Sequence, residues 1–362
     1  MSEKDNRKHL YKALGLMSGT SLDGLDICAV EFWHDQAWCF KINKATTLPY
    51  SAAWQQKLRY KNLSAEALLE LNNQFGIYLA QASLHFLEEN KLTVDFIASH
   101  GHTWFHQPEK GITYQLGGGP EIAALTGLTT ITDFRSNDVA LGGQGAPLVP
   151  IGDRDLFAQH QACLNLGGFA NISFDAKATR IAFDICPLNI ALNFYCQKLG
   201  LPYDDGGIIA ATFPYDEKLV RDLEALTFYR KSPPKSLGIE WVQREIFPLV
   251  AQRELSWEVI ISSLSEHSAR QISNCLVTNK LEDCLLSGGG ALNEHLVERI
   301  RFLSGKNISL APELVLHFKE AIIFAYLGLL SLKNKINVLS SVTGAKKDHC
   351  SGHIYNCEAL KT

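Results

Sequence analysis

Apolar residues at Ala13, Leu14, Leu16 and Met17 run up to a polar stretch, Ser18-Gly19-Thr20-Ser21, and a second apolar stretch, Ile27 to Phe32, leads away from it. Apolar, polar turn, apolar predicts a β-hairpin over 12–33. Its tip carries hydroxyls, small residues and two acids, Asp23 and Asp26. From Ser64 to Asn90 the spacing becomes helical: Leu68, Leu71, Phe75, Tyr78, Leu79, Ala82 and Phe86 form one stripe, and Ser64 stands where an N-cap belongs. A short strand is expected over 94–98, emptying into His100-Gly101-His102-Thr103. Another near 128–132 ends in Asp133-Phe134-Arg135. Polar residues just past strand ends are where open α/β sheets bind ligands.

The opening pattern then recurs. Cys163 to Leu166 is apolar, Gly167-Gly168 turns, and Ile172 to Phe174 is apolar again, which points to a duplicated fold. Ile181 to Asp184 leads into a predicted helix with Pro187 near its first turn and Gly200 past its end. Cys284 to Ser287 leads through Gly288-Gly289-Gly290 into another, with Leu292, Leu296 and Ile300 on one face. A last helix is expected around 319–332. A chain of 362 residues is too long for one core. The expected division is an N-terminal lobe of 1–135, with residues from about 335 to 362 packing back onto it, and a C-terminal lobe of 136–334. The glycine- and proline-rich run Leu141 to Pro150 would be the hinge.

Composition narrows the class. Hydrophobic residues make up 46% and charged residues 20%, a globular balance. Net charge is −4 with no basic run, so nucleic acid is not an expected partner. The longest apolar run, Ala321 to Leu330, falls short of a membrane span and reads as a buried helix. The first residues, MSEKDNRKHLYK, lack the apolar core of a signal peptide, and the nine cysteines include no C-x-x-C pair. Those features point to a reduced, cytoplasmic protein. A homodimer stays open.

Candidate chemistry sits at the turns. No P-loop pattern occurs. The tip Gly19-Thr20-Ser21-Leu22-Asp23-Gly24-Leu25-Asp26 could cradle phosphates with N–H groups and hydroxyls while an aspartate holds hydrated Mg²⁺. Its plainer reading is an ordinary turn of favoured turn residues. Gly288-Gly289-Gly290 before a helix suits an anion or nucleotide, and also suits close packing. Asp184 at a strand end suits a general base, or simply the positive end of a helix. His100, His102 and His106 have no carboxylate or cysteine at ligand spacing, which argues against a metal there. Glu320 could be no more than a first-turn acid.

Together these segments say more. GLMSGTSLDGLD at 15–26, SHGHTWFHQP at 99–108, DFRSNDVALGGQGAPLVP at 133–150, NLGGFANISF at 165–174, SGGGALNEHL at 287–296 and KEAIIFAYLG at 319–328 resemble, in order, the anhydro-N-acetylmuramic acid kinases. The resemblance implies an α/β, two-lobed, actin-like ATPase (ribonuclease H-like) fold, duplicated about a nucleotide cleft. It also implies an enzyme that uses ATP and Mg²⁺ to open the 1,6-anhydro bond of its amino sugar and phosphorylate O6, in peptidoglycan recycling. Carried over by motif, Gly19 to Asp26 form the first phosphate loop, with Asp23 on Mg²⁺ through water. Gly167 and Gly168 form the second loop, and Gly288, Gly289, Gly290 and Asn293 border the adenosine. Asp184 is the base that activates water, and Thr103, Arg135 and Glu320 line the sugar site.

Three places depart from the family pattern. Asp184-Ile185-Cys186-Pro187-Leu188-Asn189 stands where Asp-Thr-Gly-Pro-Gly-Asn is usual. Lys235-Ser236-Leu237-Gly238-Ile239-Glu240 replaces Lys-Ser-Thr-Gly-Arg-Glu, and Phe169 replaces isoleucine. The first leaves open a kinase of the same fold for another amino sugar, or a binding protein without the chemistry.

Overall fold

The computed structural model describes residues 9–19, 22–60 and 62–356. They form two compact units, one running as far as Ala158 and resuming from Phe318, the other Gln159–His317. In the first, β1 (Tyr11–Ser18), β2 (Gly24–Asp35) and β3 (Ala37–Pro49) make an antiparallel meander. β4 (Phe96–Gln107) joins β1 in parallel and carries β5 (Ile112–Leu116) folded back on its end. β6 (Thr129–Thr132) continues in parallel, and β12 (His353–Tyr355) closes that edge.

The second unit repeats the plan. β7 (Ala162–Leu166), β8 (Phe169–Ala176) and β9 (Thr179–Pro187) form the meander, and β10 (Asp283–Ser287) and β11 (Asn307–Leu310) extend it in parallel from β7. Leaving out β5, which folds back on β4, and the edge strand β12, both sheets read third, second, first, fourth, fifth strand. This is the ribonuclease H-like order of actin-like ATPases, present twice. The duplication suggested by the two hairpins is thus written in the backbone.

Alternation along β1 explains the first unit's layers. Leu14 and Leu16 face the helix Ala65–Glu89, whose Leu71, Phe75, Leu79 and Phe86 complete a buried cluster. Ser64 caps that helix, its Oγ accepting the Ala67 N–H at 3.2 Å, and Asn90 ends it, as expected. Gly15, between the two leucines, faces the other way. A Cβ there would lie 2.0 Å from the Ala321 carbonyl oxygen, and one on Gly328 would lie 2.6 Å from the Ala98 side chain. The helix Glu313–Leu332 therefore rests backbone to backbone on β1 and β4. It is long and apolar enough to cross a membrane, yet 83% of its most apolar window is buried within the protein.

Four expectations change. β4 does not stop at Ala98 but runs to Gln107 through Gly101, whose φ of 70° bends the strand and mimics a loop in sequence. Thr103 is accordingly a strand residue. Pro187 closes β9, and the following helix starts only at Asn189. Residues 136–158 and the whole stretch from Phe318 pack with the first unit, so the chain crosses between units at 158–159 and 317–318. The run expected to be a hinge is pinned inside the first unit: Gly145 N donates to Asp138 Oδ2 at 2.6 Å and Gln144 N to the Thr343 carbonyl at 2.8 Å.

Candidate active site

At the β1–β2 tip, Thr20 and Ser21 lie outside the described residues. Leu22 takes a left-handed φ of 63° and tucks its side chain into the core, leaving Asp23 exposed. Gly24 has a packing reason for being glycine: a Cβ there would sit 2.5 Å from the Leu48 carbonyl of β3. Asp26 accepts a hydrogen bond from Thr47 Oγ1 at 2.6 Å. At the end of β1 the Tyr50 hydroxyl donates to Ser18 Oγ at 2.7 Å, and Ser18 Oγ is hydrogen-bonded to His102 Nδ1, 2.9 Å away.

Arg135 lies just past β6, immediately before a short helix, Ser136–Ala140. Its Nε and Nη2 donate to His100 Nε2 at 3.0 and 2.8 Å, and its Nη1 donates to the Gly145 carbonyl. His100 Nδ1 lies 2.9 Å from the Gly101 carbonyl, which can only accept, so the ring is the neutral Nδ1–H tautomer. Burial and the neighbouring guanidinium hold His100 well below the usual histidine range. Both ring nitrogens are engaged, and His102 and His106 bond to Ser18 and Thr113 instead, so the three histidines do not converge.

Burial pushes Arg135 down to about 10, while Glu320 and Asp138 pull it back up. Glu320 keeps solvent access, yet the protein crowding around it raises its carboxyl. Arg135 and Lys319 lower that value again and Asp26 adds to it. The first unit thus brings Arg135, Glu320 and Asp26 within electrostatic reach of one another. Lys319 is itself buried, 2.8 Å from Asp153 Oδ1, and this pair anchors the turn of helix that bears Glu320. A lysine inside an otherwise buried helix needs such a partner, and the KEAIIFAYLG segment carried that signal.

In the second unit Asp184 lies on β9 beside a bulge: Asn171 pairs with Asp184 and Ala170 with Cys186, leaving Ile185 unmatched. A bulge re-aims the side chains around it. Asp184 is locked by the segment 235–237. Its N–H donates to the Lys235 carbonyl at 3.0 Å, and its Oδ2 accepts the Leu237 N–H at 2.8 Å. Its Oδ1 accepts no hydrogen bond from the described residues. Burial raises the carboxyl above the ordinary aspartate value, and the Leu237 N–H offsets part of the rise. One oxygen held and one open, on a carboxylate made more basic, is a suitable arrangement for taking a proton from water.

The glycines of this unit divide by what surrounds them. Gly288, at φ 85°, and Gly290 are forced by β7: a Cβ on either would collide with Asn165 or the Leu166 carbonyl. Gly289 has nothing within 4 Å of a built Cβ. Gly167 and Gly168 form the β7–β8 turn with added-Cβ contacts no closer than 3.2 Å and no left-handed φ. Nothing in the protein itself requires these last three to lack a side chain. The Gly167 and Gly168 carbonyls receive the N–H groups of Leu188, Asn189 and Ile190, tying the turn to the start of the helix Asn189–Lys198. Asn293 caps the helix Glu294–Ser304 through its Oδ1, which accepts the Leu296 N–H at 2.9 Å; only its amide N–H₂ remains to face a ligand.

A family model described as anhydro-N-acetylmuramic acid kinase matches residues 11–357. The chain belongs to this family. A protein named anhydro-N-acetylmuramic acid kinase from Coxiella burnetii is 36% identical, the match covering 94% of this chain and 96% of the relative. One of the same name from Acinetobacter baylyi is 32% identical over 92% and 96%. Among solved structures, the activator of 2-hydroxyisocaproyl-CoA dehydratase from Clostridium difficile, with bound ADPNP, aligns at a TM-score of 0.43 and 11% identity over 89% of this chain and 97% of its own.

The departures from the anhydro-N-acetylmuramic acid kinase motifs now have places. Ile185, Cys186 and Leu188 are all buried, so the first departure fills the interior behind Asp184. Burial pushes the Cys186 thiol up to about 12, which keeps it protonated and inert. The second departure touches Asp184 through the main chain of Leu237, a contact that any residue at 237 can make. Sequence reasoning did not anticipate that contact, because a backbone donor has no side-chain signature.

Proposed function

We propose that this chain transfers the γ-phosphoryl group of ATP to O6 of 1,6-anhydro-N-acetylmuramic acid while water opens the anhydro bond. The products would be N-acetylmuramic acid 6-phosphate and ADP, a step in recycling cell-wall sugar. The observation that carries this reading is the family match over 11–357. Asp184 would take a proton from the water that attacks C1 through its open Oδ1, the C1–O6 bond would break, and O6 would attack the γ-phosphorus as ADP leaves. The raised Asp184 carboxyl favours the base role, since proton transfer improves as a base's pKa moves toward the working pH.

The phosphates would meet Gly19 to Asp26 and the Gly167-Gly168 turn; at Gly167 and Gly168 the missing Cβ leaves room for backbone approach. Gly289, with Gly288, Gly290 and the free amide of Asn293, would border the adenosine. Thr103, Arg135 and Glu320 would contact the sugar, and the bonds from Arg135 to His100 and Gly145 would hold the guanidinium in place. Asp23, exposed at the tip, fits a Mg²⁺ ion bound through water, which supplies charge neutralisation for the triphosphate. Incubation with ATP, Mg²⁺ and the anhydro sugar in H₂¹⁸O tests the reading. It requires ADP and a 6-phosphate with ¹⁸O at C1. Label in phosphate without sugar product would mean plain ATP hydrolysis and would sink it.

A further inference from the structure

The end of the first sheet opposite the Ser18 tip holds a cavity of about 550 Å³. Seven residues of extended β1 separate it from the tip, roughly 23 Å. Its walls are aromatic. Tyr11 opens β1, His34 is the last residue but one of β2, Trp38 the second of β3, and Tyr326 comes from the helix Glu313–Leu332. Trp38 meets His34 and Tyr326 edge-on, with centroids 5.2 and 5.4 Å apart.

The charges around these rings are unbalanced. Asp155 is satisfied within the protein: Tyr326 OH donates to its Oδ2 at 2.9 Å and Arg154 Nε to its Oδ1 at 2.7 Å. Lys333 reaches the wall from just past the end of Tyr326's helix, donating to the Tyr11 hydroxyl at 2.8 Å with its ammonium 4.6 Å from that ring's centroid. A phenol does not neutralise it, and no carboxylate of the described residues pairs with Lys333 or with Lys335, which lines the same cavity. Two uncompensated ammonium groups on one cavity stand out in a chain of net charge −4.

We propose that this cavity is a second ligand site, separate from the phosphoryl-transfer machinery, for a small organic anion with a flat ring. The anion, phosphate or carboxylate, would sit between Lys333 and Lys335, and the ring against Trp38 and Tyr326. Aromatic walls with a few placed charges, at this volume, are the ordinary build of a small-molecule site.

The test uses the full chain labelled with fluorotryptophan, whose six tryptophans give separable ¹⁹F signals, Trp38→Phe identifying that of Trp38. Phenyl phosphate, benzoate and glucose 6-phosphate are titrated separately, so that anion and ring requirements are told apart. The expected result is saturable binding of phenyl phosphate that moves the Trp38 signal, weaker binding of glucose 6-phosphate, and loss of affinity of about tenfold or more in Lys333→Glu/Lys335→Glu. Turnover of ATP should be unchanged in that double variant. Both lysines are exposed, so the variant should fold, and its melting curve checks this. Equal binding by the double variant, a shift at another tryptophan instead, or no saturable binding of any probe up to about 10 mM would each overturn the proposal.

Discussion

The two hairpins that open the two units share a topology and differ at their tips. In the β1–β2 hairpin the tip is long and charged, and its Gly24 is used up by contact with β3. In the β7–β8 hairpin the tip is two glycines that the protein does not need for its own packing. The acids follow the same split. The first unit gathers Asp26, Glu320 and Arg135 around one sheet end, whereas the second presents one isolated carboxylate, Asp184, on the strand that corresponds to β3. A duplicated fold keeps its strand order while each copy's loops are free to take different work, because strand order is set by packing and loops are not.

The largest expected effect is at Asp184. Asp184→Asn should lower turnover by about 10² to 10⁴ while ATP still binds, since the proposed reading gives Asp184 the role of base and no part in holding ATP. Its stability should move the other way. A carboxyl raised in the folded protein is costly to ionise there, so above its folded pKa the wild type carries a penalty that the amide lacks. The Asp184→Asn variant should melt higher at neutral pH, with the gap closing as pH falls through the raised value toward the ordinary 3.8. Calorimetry across pH checks the sign. Wild-type turnover should correspondingly fall on the acid side at a pH above the ordinary aspartate range.

Arg135→Met comes next. It should raise the sugar KM and also cost about 1–3 kcal/mol of stability, because the Gly145 carbonyl and His100 lose their donor. Chemical denaturation beside steady-state kinetics separates the two effects. An Arg135 variant with unchanged KM would confine this residue to structure.

The comparison of hairpins is sharpened by a matched pair. Gly24→Val should cost about 1–3 kcal/mol through collision with β3. Gly168→Val should leave the melting temperature nearly unchanged and weaken nucleotide binding, read by titration calorimetry. If Gly168→Val melts early and Gly24→Val does not, the roles assigned to the two turns are reversed. The smallest effect is expected at Leu237→Thr, which restores the residue usual in the family. The N–H that holds Asp184 is unchanged by that swap, so turnover should stay within a few-fold of wild type, about 1 kcal/mol or less.

What could be read from sequence was local. The helix Ala65–Glu89 was legible to the residue, because cap, stripe and end all lie within it. β3 was not, since most of its side chains are exposed and leave no buried alternation. β4 was cut short because a bend at Gly101 looks like a turn when its partner β5 is unseen. Asp184 was legible as a carboxylate in the right motif, but its lock lies 53 residues away in a main-chain N–H. Residues 318–332 of the helix Glu313–Leu332 were expected with the second unit, whose sequence they follow, and they pack with the first. The helix's contacts with Gly15 and Ala98 are set by tertiary packing alone.

That helix has a consequence for how the chain is made. The second unit, Gln159–His317, is continuous and has its whole sheet once residue 310 has left the ribosome. The first unit is not: β1 needs the helix beginning at Glu313 against Gly15, and β6 needs β12 at its edge. Synthesis from the N-terminus therefore leaves the opening half waiting, one face of β1 uncovered until the helix Glu313–Leu332 has emerged and the edge of β6 open until Tyr355 has. A ribosome stalled once residue 317 has emerged from it would carry a finished second unit behind an unfinished first, and limited proteolysis of such stalled chains should cut before Gln159 and spare the second unit.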